Sequence, residues 1–214
     1  MIINCMFLFS ILLFLSIDSY AQNNDKGSFE TNKAEKFIIE GNYSSAVPLL
    51  QKAEELGNKK AKFLLGRMYF LGAGGLPRRE GYGWAKIANA ADHGCEEALI
   101  WLLELFTTDK DELLLTDELQ SYIDKLIAKN NPQGYYYGGL FCIYGSNNKD
   151  ERKGVSYLTK AAELGDADAE YELAMCCIND LGDAGNYEDA LKWLERSRKH
   201  GNDNATQYLI FNCN

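Results

Sequence analysis

Five positions in this chain recur at a spacing of about 36 residues, and that recurrence dictates what the chain can fold into. Gly57 follows KAEEL, Gly94 follows NAADH, Gly165 follows KAAEL and Gly201 follows RSRKH, with separations of 37, 71 and 36 residues. The interval of 71 is two periods, and its midpoint is Asn130, after DKLIAK. Glycine, and after it asparagine, tolerates the left-handed backbone that closes a helix, so each marker reads as a helix C-terminus. Four residues beyond the markers stand Ala61, Ala98, Gly134, Ala169 and Ala205, and eight beyond stand Leu65, Leu102, Gly138, Leu173 and Leu209. A spacing of four places both series on one helix face, where the small residue admits a neighbouring helix.

The second helix of each unit has its own signature. Gly41, Asn42, Tyr43 and Ala46 reappear as Gly185, Asn186, Tyr187 and Ala190, four periods later. The Asn suits the turn before a helix, and the Ala lets the paired helix approach. Eight residues before the markers sit Leu49, Lys86, Tyr122, Tyr157 and Trp193, mostly bulky and suited to filling the gap between hairpins. These series predict helices over 33–40, 43–56, 59–71, 79–92, 96–107, 114–129, 132–144, 150–164, 167–179, 187–200 and 203–212. No stretch alternates in the manner of a strand, and only 3 prolines interrupt the chain. The predicted architecture is all-α: about five helical hairpins plus a C-terminal capping helix. Each hairpin buries its apolar face only against neighbours.

Residues 1–21 differ in kind from the rest. The apolar run MFLFSILLFLSI from Met6 to Ile17 is shorter than the ~20 residues of a membrane span, and Ser19 and Ala21 supply the small residues of a signal-peptidase site. A signal peptide cleaved after Ala21, a mobile leader over 22–32 and a repeat domain over 33–214 are therefore expected, with export to a periplasm or the exterior. The net charge of −9 repels phosphate backbones and anionic membranes, which excludes nucleic acid and any membrane role beyond the signal segment.

Ala61, Leu65, Gly66, Tyr69, Gly72 and Gly74, followed by Ala90, Ala91 and Gly94, resemble a Sel1-like repeat, a relative of the tetratricopeptide repeat with a longer interhelical loop. Ala169, Leu173, Ala174, Ala190, Trp193 and Gly201 repeat the pattern. Residues 107–116, TTDKDELLLT, lack the glycine-rich loop. The resemblance implies a right-handed α-α superhelix, or solenoid, whose concave face binds proteins or peptides, and it implies no catalytic residue.

Candidate chemistry is sparse. The loop LGAGGLPRR lacks the Lys and Ser or Thr of a phosphate-binding loop. His93 and His200 each precede a marker, where a helix dipole favours them, and three repeats separate them, too far to share a metal. No catalytic, cofactor-binding or metal-ligating residue is assigned. Cys142, Cys177 and Cys213 share one repeat position, about 10 Å apart in adjacent hairpins and beyond disulfide reach, so buried free thiols are expected. Cys5 leaves with the signal segment.

Positions seven and ten residues after the markers vary most between repeats, and their offset of three puts them on one face. Among them Arg67, Trp101, Glu104, Tyr137 and Glu172 are the expected partner-binding residues, because aromatic and Arg side chains dominate protein recognition. Packing between hairpins is the competing role for the aromatics. The functional expectation is an exported scaffold that binds a protein or peptide partner through its concave face and performs no catalysis. Alternatives are a secreted cysteine-containing hydrolase acting on cell-wall-type substrates, and a membrane-tethered assembly factor.

Overall fold

The computed structural model describes residues 26–107, 113–147 and 149–212. The expected signal segment lies outside them, as do Cys5, Cys213 and residues 108–112 of the third-unit loop. Among the described residues stand eleven helices: α1 Ser28–Ile39, α2 Tyr43–Glu55, α3 Lys59–Leu71, α4 Glu80–Asp92, α5 Glu96–Phe106, α6 Asp117–Ile127, α7 Pro132–Tyr144, α8 Glu151–Glu163, α9 Ala167–Ile178, α10 Tyr187–Lys199 and α11 Asp203–Asn212. None is long and apolar enough to cross a membrane. The fold is the all-α hairpin repeat that the markers predict.

The junctions between hairpins follow one backbone device. Gly57, Gly94, Asn130, Gly165 and Gly201 all take positive φ, at 88°, 74°, 54°, 90° and 94°. In every case the marker's amide bonds to the carbonyl three residues back, and the next amide to the carbonyl five back, as in Gly57 to Glu54 and Asn58 to Ala53. This pair of bonds satisfies carbonyls that a helix end otherwise leaves open. The residue after the marker then begins the next helix. Asn58, Asn131, Asp166 and Asn202 accept from the amides of Ala61, Gln133, Ala169 and Ala205. One residue thus closes a helix and caps its successor, which sets the sharp turn between hairpins. Cys95 occupies the same place before α5 and is buried, as Asp166 and Asn202 are.

Within hairpins, small residues bring backbones together. A Cβ on Gly66 of α3 would lie 2.9 Å from the oxygen of Gly83 in α4, and one on Gly83 would lie 2.6 Å from the oxygen of Gly66. Gly139 and Gly154 repeat this relation between α7 and α8. Ala174 and Ala190 occupy the equivalent places in α9 and α10 and are fully buried.

The described residues form two compact units, one running to Ala98 and one from Leu99. In the first, Leu50, Leu65, Ala53, Ala61 and Met68 form the core between α1, α2 and α3. In the second, Ile143, Leu158, Ala162, Ala169 and Leu173 join α7, α8 and α9, and Ala174, Leu194 and Ala205 carry the core on to α11. The series at four residues past the markers is buried throughout, and so are Leu65, Leu102, Gly138 and Leu173 of the series at eight.

Two helix starts differ from the sequence expectation by more than one residue. The first helix begins at Ser28, five residues before the expected 33, because Gly27 turns the chain at φ 79° and Thr31 donates back to the Gly27 carbonyl at 2.8 Å. Residues 28–32, read as leader, are therefore helical. Helix α6 begins at Asp117 instead of 114, because Thr116 caps it through the Leu119 amide. Leu113 just before it is buried, and Asn147 bonds both the amide and the carbonyl of Leu115.

Candidate interaction surface

The expected binding residues divide between the two units. Arg67 is exposed on α3, with its guanidinium 5.7 Å from the Phe63 ring centre, at the rim of a hollow of about 290 Å³ lined by Ile38, Tyr43, Leu64 and Leu71. Trp101, Glu104, Tyr137 and Glu172 belong to the second unit, on α5, α7 and α9.

In that second unit the side chains differ in what they offer. Glu104 is exposed and Trp101, one turn earlier on α5, is half-buried. Tyr137 and Glu172, expected among the partner-binding residues, are only 5% and 4% exposed. Their depth has a packing cause. Three glycines in α7, Gly134, Gly138 and Gly139, draw the flanking helices close around its four tyrosines. Tyr137 lies edge-on to Tyr136, 5.1 Å between ring centres. Glu172 accepts from the Tyr144 hydroxyl at 3.1 Å. Much of this face is tertiary packing.

Buried rings nevertheless present polar ends. The hydroxyls of Tyr136 and Tyr137 make no hydrogen bond among the described residues, and no described side-chain polar atom is both fully buried and unpartnered. Both hydroxyls therefore reach solvent while their rings stay packed. Burial pushes both phenols well above the ordinary tyrosine range. The carboxylates of Glu104, Asp166 and Asp168 add to this at Tyr137, and those of Glu172, Asp168 and Asp166 at Tyr136. Three successive first helices, α5, α7 and α9, thus bring phenols and carboxylates onto one face. Asp166 is held there by capping α9 and by the Gln133 amide, and burial raises its carboxyl above the usual range.

The charge of the chain follows the same division. Residues 99–214 carry 20 acidic and 11 basic side chains, and residues 1–98 carry 11 of each, so the whole imbalance of −9 resides in the second unit. Within that unit no Lys, Arg or His stands on α5, α7, α9 or α11. Every described Lys and Arg there lies on α6, α8, α10 or the connecting loops. Asp168 and Tyr136 were not among the expected binding residues. This absence of cations from alternate helices is the sequence signal that points to them.

Other candidate groups have structural partners. His200 lies 2.9 Å from the buried Glu170 carboxylate, and His93 lies 2.7 Å from the Asn89 carbonyl, so both make side-chain contacts beyond a helix-dipole role. Cys95, Cys142 and Cys177 are buried free thiols, as expected, and Cys176 is buried as well. Among the described residues no group of three His, Cys, Asp or Glu is arranged to hold a metal.

Hairpins of this length, capped in this way and closed by glycine pairs, define a helical-repeat protein. The model of one such family, the Sel1 repeat, matches residues 59–93, 132–166 and 167–202. The fold is similar to a Sel1 repeat protein from Oxalobacter formigenes, with 25% identity, a TM-score of 0.72, and 87% of this chain and 76% of that one covered. It is also similar to a protective antigen of uropathogenic Escherichia coli strains that displays an SLR fold, at 21% identity and TM-score 0.63. That likeness covers 89% of this chain and 43% of the antigen. An immunity protein from Pseudomonas aeruginosa shares the fold at 22% identity and TM-score 0.55, over 82% of this chain and 68% of that one. None of the curated proteins matches the chain.

Proposed function

We propose that this chain is an exported, non-catalytic scaffold that binds a protein or peptide partner across the face formed by α5, α7 and α9. The observation that carries this reading is the pair of tyrosines, Tyr136 and Tyr137. Their rings are held by packing while their hydroxyls, unbonded among the described residues, lie in the field of carboxylates. Rigid aromatic bodies with free polar ends lose little conformational entropy when a partner bonds to them, a common property of recognition surfaces. The Sel1 repeat suits this role, because each hairpin adds a helix to a continuous face. Export rests on the apolar run and the small residues before Gln22.

The test is photo-crosslinking in the native host. A benzophenone amino acid at Glu104 should yield one discrete adduct, and the same probe at Ser121 on α6 should not. Equal adducts at both sites, or none at Glu104, would sink the assignment of the face. N-terminal sequencing of the exported chain should begin at Gln22, and recovery of Met1 would refute cleavage.

A further inference from the structure

The segregation of charge between alternate helices says what kind of partner fits. Resting on the scaffold reading above, we infer that the α5, α7 and α9 face binds a cationic, arginine- or lysine-rich segment of its partner. Glu104 and Asp168 supply the negative charge, and the hydroxyl of Tyr137 serves as a hydrogen-bond acceptor.

Three observations converge. The first helices of the second unit hold acidic side chains and no cation, so nothing on this face neutralises its carboxylates from their own helices. Tyr137 is 95% buried, yet its hydroxyl makes no hydrogen bond among the described residues and sits within the field of Glu104, Asp166 and Asp168. A polar group packed so tightly cannot swing away to find another partner, so an incoming donor meets it preformed. Finally, guanidinium groups stack on aromatic faces while bonding carboxylates, and the half-buried Trp101 lies one helical turn from Glu104. An anionic partner would face repulsion from the same groups.

The test uses the full chain and a labelled peptide of about 8 residues alternating Arg and Ser, which at roughly 3.3 Å per residue crosses three helices spaced about 10 Å apart. A Glu and Ser peptide is the control. Fluorescence anisotropy should show binding of the first peptide only, weakening as salt shortens the screening length. E104Q/D168N should lower affinity about 10-fold, and Y137F about 3-fold. E163Q/E195Q removes the same charge from α8 and α10 and should change it less than about 2-fold. Circular dichroism of each near-isosteric variant confirms the fold. Equal weakening by both double variants, wild-type affinity in Y137F, or no binding of the arginine peptide would overturn the inference. If a natural partner still crosslinks at Glu104 while the arginine peptide neither binds nor competes, the scaffold reading stands and the cationic assignment falls. If the peptide behaves as expected while Glu104 captures nothing, the reverse holds.

Discussion

The Nε of Arg196 lies 2.6 Å from the carboxylate of Glu170, a side chain with no exposure to solvent. The same guanidinium donates to the Ala162 carbonyl at 2.7 Å, and His200 stands 2.9 Å from the other Glu170 oxygen. Three consecutive helices, α8, α9 and α10, are thereby tied at one buried charge. Removing one partner of such a pair strands the other, which costs more than replacing both with apolar groups. Arg196→Met should therefore destabilise the chain by about 3 kcal/mol in urea unfolding, and the double variant E170M/R196M should recover at least half of that. A double variant as unstable as R196M would refute the account.

Gly83 tests the backbone contact between α3 and α4. Gly83→Ala pushes a methyl group against the Gly66 oxygen and the Phe70 backbone, and about 2 to 4 kcal/mol of destabilisation is expected. Gly81, two residues earlier on the same helix, has nothing within 4 Å of its would-be Cβ. Gly81→Ala should stabilise by about 0.5 to 1 kcal/mol through helix propensity alone. Thermal melts of the two variants should move in opposite directions.

Asn130 holds the left-handed conformation at φ 54° where the other four junctions use glycine. Asn130→Gly should leave stability unchanged or raise it slightly, and Asn130→Val should lower it by about 1 to 2 kcal/mol, since a β-branched residue resists positive φ. Equal stability of the two variants in chemical denaturation would show that the junction does not need this conformation.

Burial pushes the Cys95 thiol from its ordinary 9.0 up to about 12. The unfolded thiol loses its proton first as pH rises, so the neutral folded thiol contributes stability that is complete below pH 9.0 and is lost as pH climbs towards about 12. At pH 8 the native thiol should react with iodoacetamide at least 10-fold more slowly than in denaturant, because the thiolate is the nucleophile. Cys95→Ala should flatten the loss of stability between pH 9 and 11 in alkaline denaturation. A fast-reacting native Cys95 would contradict its burial.

Much of the fold was legible because its signals are local. Helices α3, α7 and α11 begin and end where the periodic pattern places them, since a marker that must take positive φ and a capping Asn or Asp act within five residues of one another. The start of α1 was misplaced because Gly27 lies outside the period, and nothing in the repeat announces it. The candidate surface was only partly legible. The offsets of seven and ten put Trp101, Glu104 and Tyr137 on neighbouring first helices, but they carry no information about depth.

The sequence by itself determined the hairpin count, the register of every junction and the segregation of cations onto alternate helices, because each depends on spacing along the chain. Only the tertiary structure decided which of the variable positions meet solvent. Tyr137 and Glu172 are buried while Glu104, in the same pattern, is exposed. The glycines of α7 let α8 close against it, a contact between residues 15 apart at Gly139 and Gly154 that no helical period encodes. Exposure is a property of what neighbouring helices cover, and so is the placing of Tyr137 in the field of its carboxylates.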